Sequence, residues 1–249
     1  MKMISVFNLS KQFGEFKAVD SLTFDVPKGA ICAFLGPNGA GKSTTVKMLT
    51  GLLKPSSGTA TVCGLDSAAG SVDLKRRIGV LPENLGLFDD LTVLEHLELT
   101  GGIYGLSKQE IESRAGELLS VLDLETGRKR FAGQCSHGMR KKTSLAMALL
   151  PNPEVLFLDE PLEAIDPVTS RVMLDIFEAA AARGVTIFFT SHILPMVEEI
   201  ATQIMIIRAG CLQFSSPARQ LPKNLESLYF ELAEARKHAD LTWLGGAAS

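Results

Sequence analysis

Gly36-Pro37-Asn38-Gly39-Ala40-Gly41-Lys42-Ser43-Thr44 is the stretch that decides the fold of this chain. It fits G-x-x-x-x-G-K-[ST], the pattern of a phosphate-binding loop. The apolar run at 30–35 predicts a buried strand before the loop, and Val46, Met48 and Leu49 predict a helix after it. Glycines let the backbone fold closely around phosphate oxygens, and the helix N-terminus adds partial positive charge. The sequence therefore predicts a nucleotide-binding site between a strand and a helix.

The residue types in this loop suit phosphate chemistry. Backbone N–H groups are expected to hold the phosphates, Lys42 to reach the terminal phosphates, and the Ser43 hydroxyl to ligate Mg²⁺. The alternative is a glycine-rich turn that carries a lysine by accident. The predicted nucleotide-binding residues of the loop are Gly36, Asn38, Gly39, Ala40, Gly41, Lys42, Ser43 and Thr44.

Composition narrows the classes of protein that fit. The chain has 249 residues, 46% of them hydrophobic and 21% charged, as in an ordinary globular protein. Its net charge of −3 gives no electrostatic support to a general role in binding nucleic acid. Its four cysteines form no C-x-x-C pair, which argues against zinc and thioredoxin-type chemistry. These widely spaced cysteines fit a reducing, cytosolic compartment. No run approaches 18 apolar residues, so we expect no membrane span.

Strand-like and helical segments divide the chain into regions. Short apolar runs near both ends predict strands covered on both faces, as in a parallel sheet. From about 92 to 150 the apolar residues follow a helical period, and 92–95 and 107–110 are S/T-x-x-E capping boxes. A helical insert therefore interrupts an α/β core, and 245–249 look like a frayed tail. The predicted strands lie at 2–8, 16–24, 30–35, 59–63, 78–81, 155–158, 185–189 and 204–207.

Two carboxylates follow the apolar strand at 155–158. A strand tip beside the phosphate loop is where an acid that organises Mg²⁺ is needed. Asp159 is expected to hold the metal through its water shell. Glu160 is expected to polarise a water for in-line attack on the γ-phosphate. The alternative is a solvated Asp-Glu pair that opens a loop.

Four further segments complete a larger pattern: 81–84 (Leu-Pro-Glu-Asn), 135–139 (Cys-Ser-His-Gly-Met), 164–167 (Ala-Ile-Asp-Pro) and 190–192 (Thr-Ser-His). In order and spacing, these motifs and the P-loop resemble those of the ATP-binding cassette (ABC) nucleotide-binding domain, from about residue 3 to residue 215. The resemblance implies a single ABC ATPase domain with a P-loop NTPase core, an N-terminal antiparallel β subdomain and a helical subdomain insert. The implied boundaries are 1–85 and 150–215 for the α/β core with its β subdomain, 86–149 for the helical subdomain, and 216–249 for a C-terminal helix and tail.

The resemblance also assigns residues around the nucleotide. Phe13 resembles the aromatic residue that stacks on adenine, Phe16 is the competing residue, and either is open to being a core residue instead. Glu83 occupies the place of the family's Q-loop glutamine, where it keeps an acceptor oxygen that could sense Mg²⁺. The alternative for Glu83 is a surface turn shaped by Pro82.

Ser136, His137 and Gly138 lie where the family's signature segment binds the γ-phosphate held by the other subunit, and the alternative for Ser136 is the N-cap of an ordinary helix. Asp166 matches the D-loop at the dimer interface, but Asp followed by Pro also caps a helix. His192 matches the switch histidine that contacts the γ-phosphate, whereas a lone histidine is usually structural.

The function that the resemblance implies is ATP hydrolysis in a membrane transporter. ATP and Mg²⁺ are the expected cofactors. The expected partners are a separate transmembrane permease and a second ABC ATPase subunit, either a copy of this chain or a paralogue, with no nucleic acid. The chain is expected on the cytoplasmic face of the membrane, held there only through the permease.

The Pro82-Glu83 form of the Q-loop and the segment 136–142 resemble the branch serving ABC-2 type exporters. The alternatives are a non-transport ABC-type ATPase acting on nucleic acid or ribosomes and a GTPase switch, although an N/T-K-x-D motif is absent.

Overall fold

The computed structural model describes residues 1–232, which form two β-sheets and the helices packed around them. The predicted tail at 245–249 lies outside the described residues. The strands are β1 (Lys2–Phe13), β2 (Phe16–Pro27), β3 (Ile31–Leu35), β4 (Ser57–Val62), β5 (Leu65–Asp66), β6 (Ile78–Leu81), β7 (Val155–Leu158), β8 (Thr186–Ser191), β9 (Gln203–Arg208) and β10 (Cys211–Pro217). The α-helices are α1 (Lys42–Leu49), α2 (Val72–Arg77), α3 (Val93–Ile103), α4 (Lys108–Val121), α5 (His137–Leu149), α6 (Pro167–Ala182), α7 (Leu194–Ile200) and α8 (Leu225–Leu232). None of these described helices has the length and apolar character that a membrane crossing requires.

The larger sheet has six strands in the order β10-β9-β3-β8-β7-β6. All neighbours are parallel except β10, which runs antiparallel to β9. Alternate residues of the central strand β3 enter different cores. Ile31 and Leu35 pack in the core formed with α3 to α8, whereas Cys32 and Phe34 pack in the core formed with α1, α2 and the smaller sheet. The sheet is therefore covered on both faces, which explains its uninterrupted apolar strands.

The smaller sheet is antiparallel, in the order β2-β1-β4-β5. Its longest part is the β1–β2 hairpin, in which Phe13 and Phe16 pair across a two-residue turn. Gly14 in this turn has a φ of +57°, in the left-handed region that glycine adopts without steric cost. The predicted strands 2–8 and 16–24 are too short. Strand β1 continues through the mostly exposed residues at the hairpin tip, and β2 continues to Pro27 at the opposite end, where Val26 is buried.

The helical insert lies between β6 and β7. Helices α3 and α4 begin at the two predicted capping boxes, in which Thr92 pairs with Glu95 and Ser107 pairs with Glu110. Helix α5 begins after Ser136 and packs against β6. These elements confirm the predicted fold class, an α/β P-loop core with an antiparallel β-sheet and a helical insert.

The parallel strands bring three predicted motifs to one edge of the larger sheet. Strands β3, β8 and β7 are direct neighbours, so their carboxyl ends lie side by side. The P-loop follows β3, Asp159 and Glu160 follow β7, and His192 follows β8. Ligands of open α/β sheets bind at this carboxyl edge.

Candidate nucleotide-binding and catalytic site

The P-loop forms one wall of a cavity of about 340 Å³. Residues 38–44 line it. Gly41 has a φ of +104°, and a Cβ there would lie 2.5 Å from the Ala18 carbonyl oxygen, so a larger residue does not fit. Gly36 lies at the base of the loop, where a Cβ would meet the Ile207 carbonyl oxygen at 2.4 Å. The other lining residues are Phe16, Ala18, Glu83, Glu160 and Glu163.

Lys42 is nearly buried at the start of α1. Its Nζ donates a hydrogen bond to the Gly36 carbonyl oxygen at 2.8 Å and forms an ion pair with Oε1 of Glu160 at 3.1 Å. The two paired side chains are only 6% and 10% exposed. A buried ion pair persists only when further hydrogen bonds satisfy its remaining groups. A phosphate that enters the cavity would compete with Glu160 for this ammonium.

Glu160 is held on both sides of its carboxylate and at its backbone. Nδ1 of His192 lies 3.0 Å from Oε2 of Glu160, so an Nδ1–H donates to the carboxylate. The backbone N–H of Glu160 donates to the Thr190 hydroxyl at 2.8 Å. Glu160 has a φ of +48°, a strained value for a residue other than glycine. Such strain concentrates at functional sites.

Asp159 is buried beside the P-loop. Its Oδ1 accepts hydrogen bonds from the Ser43 hydroxyl at 3.2 Å and from the Thr190 hydroxyl at 2.7 Å. Sequence reasoning did not select Thr190, although it precedes His192 by two residues at the carboxyl end of a central strand. That position was the signal that could have found it.

Two further carboxylates face the cavity. Glu83 lines it and also lines a second cavity, of about 390 Å³, shared with Val46 and Lys47 of α1. Glu163 lines the P-loop cavity but was absent from the predicted site. The signal that could have identified Glu163 is its position, four residues after Asp159 in the loop that follows the same strand.

The two candidate aromatic residues lie together at the tip of the β1–β2 hairpin. The predicted stacking residue is Phe13, but Phe16 is the phenylalanine that lines the cavity. Phe13 lies directly opposite Phe16 at the tip of the hairpin, where Nζ of Lys11 sits 5.1 Å from the centroid of its ring. Neither ring is a core residue, since Phe13 is 49% and Phe16 64% exposed. Directly paired residues of antiparallel strands share one face, so the two rings form one aromatic surface beside the cavity.

We expect Phe13→Ala and Phe16→Ala each to weaken ATP binding by about 1 kcal/mol, the scale of one lost aromatic contact. Neither change should lower the thermal stability, because both rings are largely exposed. Isothermal titration calorimetry measures the affinity. Phe7→Ala is the matched control, since Phe7 is also exposed on β1 but lies nearer its other end. An equal loss of affinity in the Phe7 variant would contradict the aromatic surface.

The signature and D-loop residues lie outside the P-loop cavity of the described chain. Ser136 caps α5 by accepting the Met139 N–H, and the exposed His137 is the first residue of that helix. Gly138 faces α6, where a Cβ would lie 3.4 Å from the Thr169 hydroxyl. Met139 makes a contact within its own chain, because its Sδ lies 3.8 Å from a guanidinium nitrogen of Arg130.

Asp166 caps α6. Its carboxylate accepts hydrogen bonds from the Thr169 N–H at 2.9 Å and from the Thr169 hydroxyl at 2.6 Å. The hydroxyl and the N–H of Thr169 lower the pKa of Asp166, so this exposed group stays charged. Capping does not exclude the predicted role at a dimer interface, because the side chain remains on the surface.

The fold and the site together define a P-loop ATPase: a phosphate loop after β3, an acid at the end of β7 and a second acid paired with a lysine and a histidine. The sequence profile of the ABC transporter family matches residues 19–163. A bacitracin transport ATP-binding protein of Bacillus licheniformis is 37% identical, over 94% of this chain and 76% of its own length. A daunorubicin/doxorubicin resistance ATP-binding protein of Streptomyces peucetius is 34% identical, over 96% of this chain and 73% of its own length.

Solved structures agree with these matches. The ATP-binding subunit of an ABC transporter has a TM-score of 0.86 at 32% identity and covers 93% of this chain and 100% of its own. A nucleotide-free ATP-binding cassette from an ABC transporter has a TM-score of 0.82 at 26% identity, and the match covers 95% of this chain and 100% of that structure's chain. This chain belongs to the ABC transporter family, as an ATP-binding and ATP-hydrolysing subunit.

Proposed function

We propose that this chain hydrolyses ATP to drive an exporter whose membrane-spanning permease is a separate chain. The observation that carries the proposal is the cluster of Lys42, Glu160 and His192 at the P-loop cavity. The relatives named for bacitracin transport and for daunorubicin/doxorubicin resistance support an export role. In this proposal the chain works at the cytoplasmic face of the membrane and is attached there through the permease.

Mg²⁺ is the metal that the donor set beside the P-loop fits. The Ser43 hydroxyl and the Asp159 carboxylate are hard oxygen donors, they lie 3.2 Å apart, and they adjoin the phosphate site. Ser43 would ligate the ion, Asp159 would hold it through a water shell, and Glu83 would approach it from the opposite loop. Bound Mg²⁺ neutralises charge that builds on the phosphate oxygens during transfer.

Glu160 is the proposed general base. The phosphates of ATP draw the Lys42 ammonium away from the Glu160 carboxylate, because they offer it more negative charge. Glu160 then accepts a proton from a water whose oxygen bonds to the γ-phosphorus, while the bond from that phosphorus to the β–γ bridging oxygen breaks. The products are ADP and phosphate. His192 orients the carboxylate through Nδ1–H. With a proton on Nε2 as well, its Nε2–H donates a hydrogen bond to the γ-phosphate.

A second cassette, a copy of this chain or a paralogue, is the proposed dimer partner. The N-terminus of α5 is exposed and presents Ser136, His137 and Gly138, a suitable anion site that its own P-loop cavity does not use. In a face-to-face dimer these three residues would bind the γ-phosphate held by Lys42 of the partner. Asp166 would lie at the same interface.

The proposed permease contact is an apolar surface on the helical insert. Leu99 and Ile103 are exposed one turn apart on α3, and the exposed Phe88 stacks over His96 one turn earlier. Exposed apolar groups that lie together on a surface mark sites of association. Glu83 begins the loop that leads from the cavity to Phe88, so this loop connects the nucleotide site with the proposed contact.

Ile103→Glu should release the permease without affecting ATP binding, because Ile103 is 74% exposed and remote from the P-loop in sequence and in the fold. The tagged chain is purified from detergent-solubilised membranes of the organism that encodes it, and co-purified proteins are identified by mass spectrometry. The expected result is a polytopic membrane protein with wild type and with the control Val72→Glu, another exposed apolar residue outside the insert. Recovery of nucleic acid or ribosomes in place of a membrane protein would contradict the transport role.

A further inference from the structure

Lys141 is a buried cation on the signature helix α5. It is 4% exposed, and its Nζ donates hydrogen bonds to the carbonyl oxygens of Glu160 at 2.8 Å and Glu163 at 2.5 Å. Within residues 1–232, no carboxylate approaches this ammonium within the 4 Å of an ion pair. Burial lowers the pKa of Lys141. A buried charge without a directly paired carboxylate is costly, so its two carbonyl hydrogen bonds stabilise it, together with the nearby charges of Glu163 and Glu160.

The two carbonyls belong to a strained turn. Glu160 has a φ of +48° and Ala164 a φ of +55°, and both are residues that disfavour the left-handed region. Strained backbone persists only where its surroundings hold it. The N–H of Glu160 is held by the Thr190 hydroxyl, and its carbonyl is held by Lys141. The peptide groups on both sides of the Glu160 Cα are therefore held, and the direction of its Cα–Cβ bond, from which the carboxylate extends, is fixed with them.

We infer that Lys141 is a positioning residue through which the signature helix holds the Glu160 carboxylate in its place at the cavity. This inference rests on the proposed role of Glu160 as the base. Lys141 lies five residues after Ser136 on the same rigid helix, so a displacement of α5 at its phosphate-facing end displaces the Glu160 carbonyl. The same helix thereby touches two catalytic sites of the proposed dimer, the partner's through Ser136 and its own through Lys141.

Lys142 provides a closely matched control. It lies on the same helix, is 7% exposed, and its Nζ donates to the carbonyl oxygen of Asp123 at 3.3 Å. Asp123 also has a left-handed φ, of +51°, but it follows α4, far along the chain from the P-loop and β7. Both lysines therefore donate to the carbonyl oxygen of a residue with a strained φ, but only Lys141 does so at the proposed base, Glu160.

The test compares Lys141→Met with Lys142→Met in the full chain. For Lys141→Met we expect kcat to fall about 10- to 100-fold, since misplacing a reacting group by about 1 Å costs about 100-fold. The Kd for ATP should change less than about threefold, because Lys42 and the P-loop are intact. Lys141→Arg, which keeps the charge and the donors, should recover most of the lost kcat. For Lys142→Met we expect a similar loss of thermal stability but the kcat of the wild type.

If Lys141→Met does not fold, Lys141→Leu takes its place, because leucine is shorter and also has no donor for the two carbonyls. Wild-type kcat in a folded Lys141→Met or Lys141→Leu variant would overturn the inference, and so would an equal fall of kcat in Lys142→Met. Failure of the proposed function itself gives a different result. In that case the wild-type chain does not hydrolyse ATP, or Glu160→Gln leaves hydrolysis unchanged.

Discussion

Lys42→Ala is expected to lower the affinity for ATP at least 100-fold. The change removes the side-chain cation of the P-loop, and each hydrogen bond to a charged group contributes about 1.5–3 kcal/mol, with 1.4 kcal/mol equal to tenfold in affinity. Hydrolysis should be lost with binding. Isothermal titration calorimetry with MgATP measures the effect. Lys54→Ala is the control, because Lys54 is an exposed lysine shortly after α1 and lines neither of the two cavities.

A loss of binding could also follow from a loss of fold, because Lys42→Ala leaves the buried Glu160 carboxylate without its lysine. Breaking a buried ion pair from one side costs about 3–5 kcal/mol, more than removing both charges. The double variant Lys42→Ala/Glu160→Gln removes the stranded charge. It should regain thermal stability and still fail to bind ATP. Unchanged affinity and turnover in folded Lys42→Ala would refute the assignment of the phosphate site.

Glu160→Gln is expected to bind MgATP and accumulate as a closed dimer that does not turn over. Glutamine keeps the size of the side chain and one acceptor oxygen, but it cannot take a proton from water. Closure brings Ser136 of each chain to the γ-phosphate held by the other, so association depends on ATP by mass action. Light scattering coupled to size exclusion should show twice the chain mass of 26.8 kDa with MgATP and the monomer mass with ADP.

Glu163→Gln is the matched control for this experiment. Glu163 also lines the cavity, but it is exposed and has no ion pair with Lys42. The Glu163→Gln variant should hydrolyse ATP at the rate of the wild type and should interconvert between monomer and dimer. A Glu160→Gln variant that is monomeric alone, but assembles with MgATP beside a second cassette, would identify a heterodimer. A Glu160→Gln variant that stays monomeric with MgATP, whichever second cassette is added, would contradict the proposal that two chains form each ATP site together.

Much of the fold was predictable because its signals are local. The apolar strands at 30–35 and 155–158, the P-loop and the two capping boxes each occupy a few consecutive residues, and each is found where the sequence places it. The two strands of hairpin β1–β2 were predicted too short, at the tip for β1 and at the opposite end for β2. Near the tip the residues pair through backbone hydrogen bonds, which impose no apolar pattern on the side chains.

The site was predictable where one motif supplies one contact, and less so where contacts join distant segments. Thr190 binds Asp159 from a different strand, and Lys141 binds Glu160 from a different helix. Lys141 lies in the sequence between Arg140 and Lys142, and a run of basic residues on a helix is usually a solvated face. In the structure Lys141 and Lys142 are both buried. Which side chains of α5 face inward depends on how the helix packs, and the local sequence does not show this.

ATP hydrolysis by the purified wild type and by Glu160→Gln, measured side by side as phosphate release with Mg²⁺ at saturating ATP, is the most direct test of catalysis at this site. We expect steady release by the wild type and a rate at least about 100-fold lower for the variant, the scale of a lost general base. ATP occupancy should be equal in both. Equal rates, or no phosphate release by a wild-type chain that binds ATP, would contradict the role of Glu160 and the ATPase mechanism built on it.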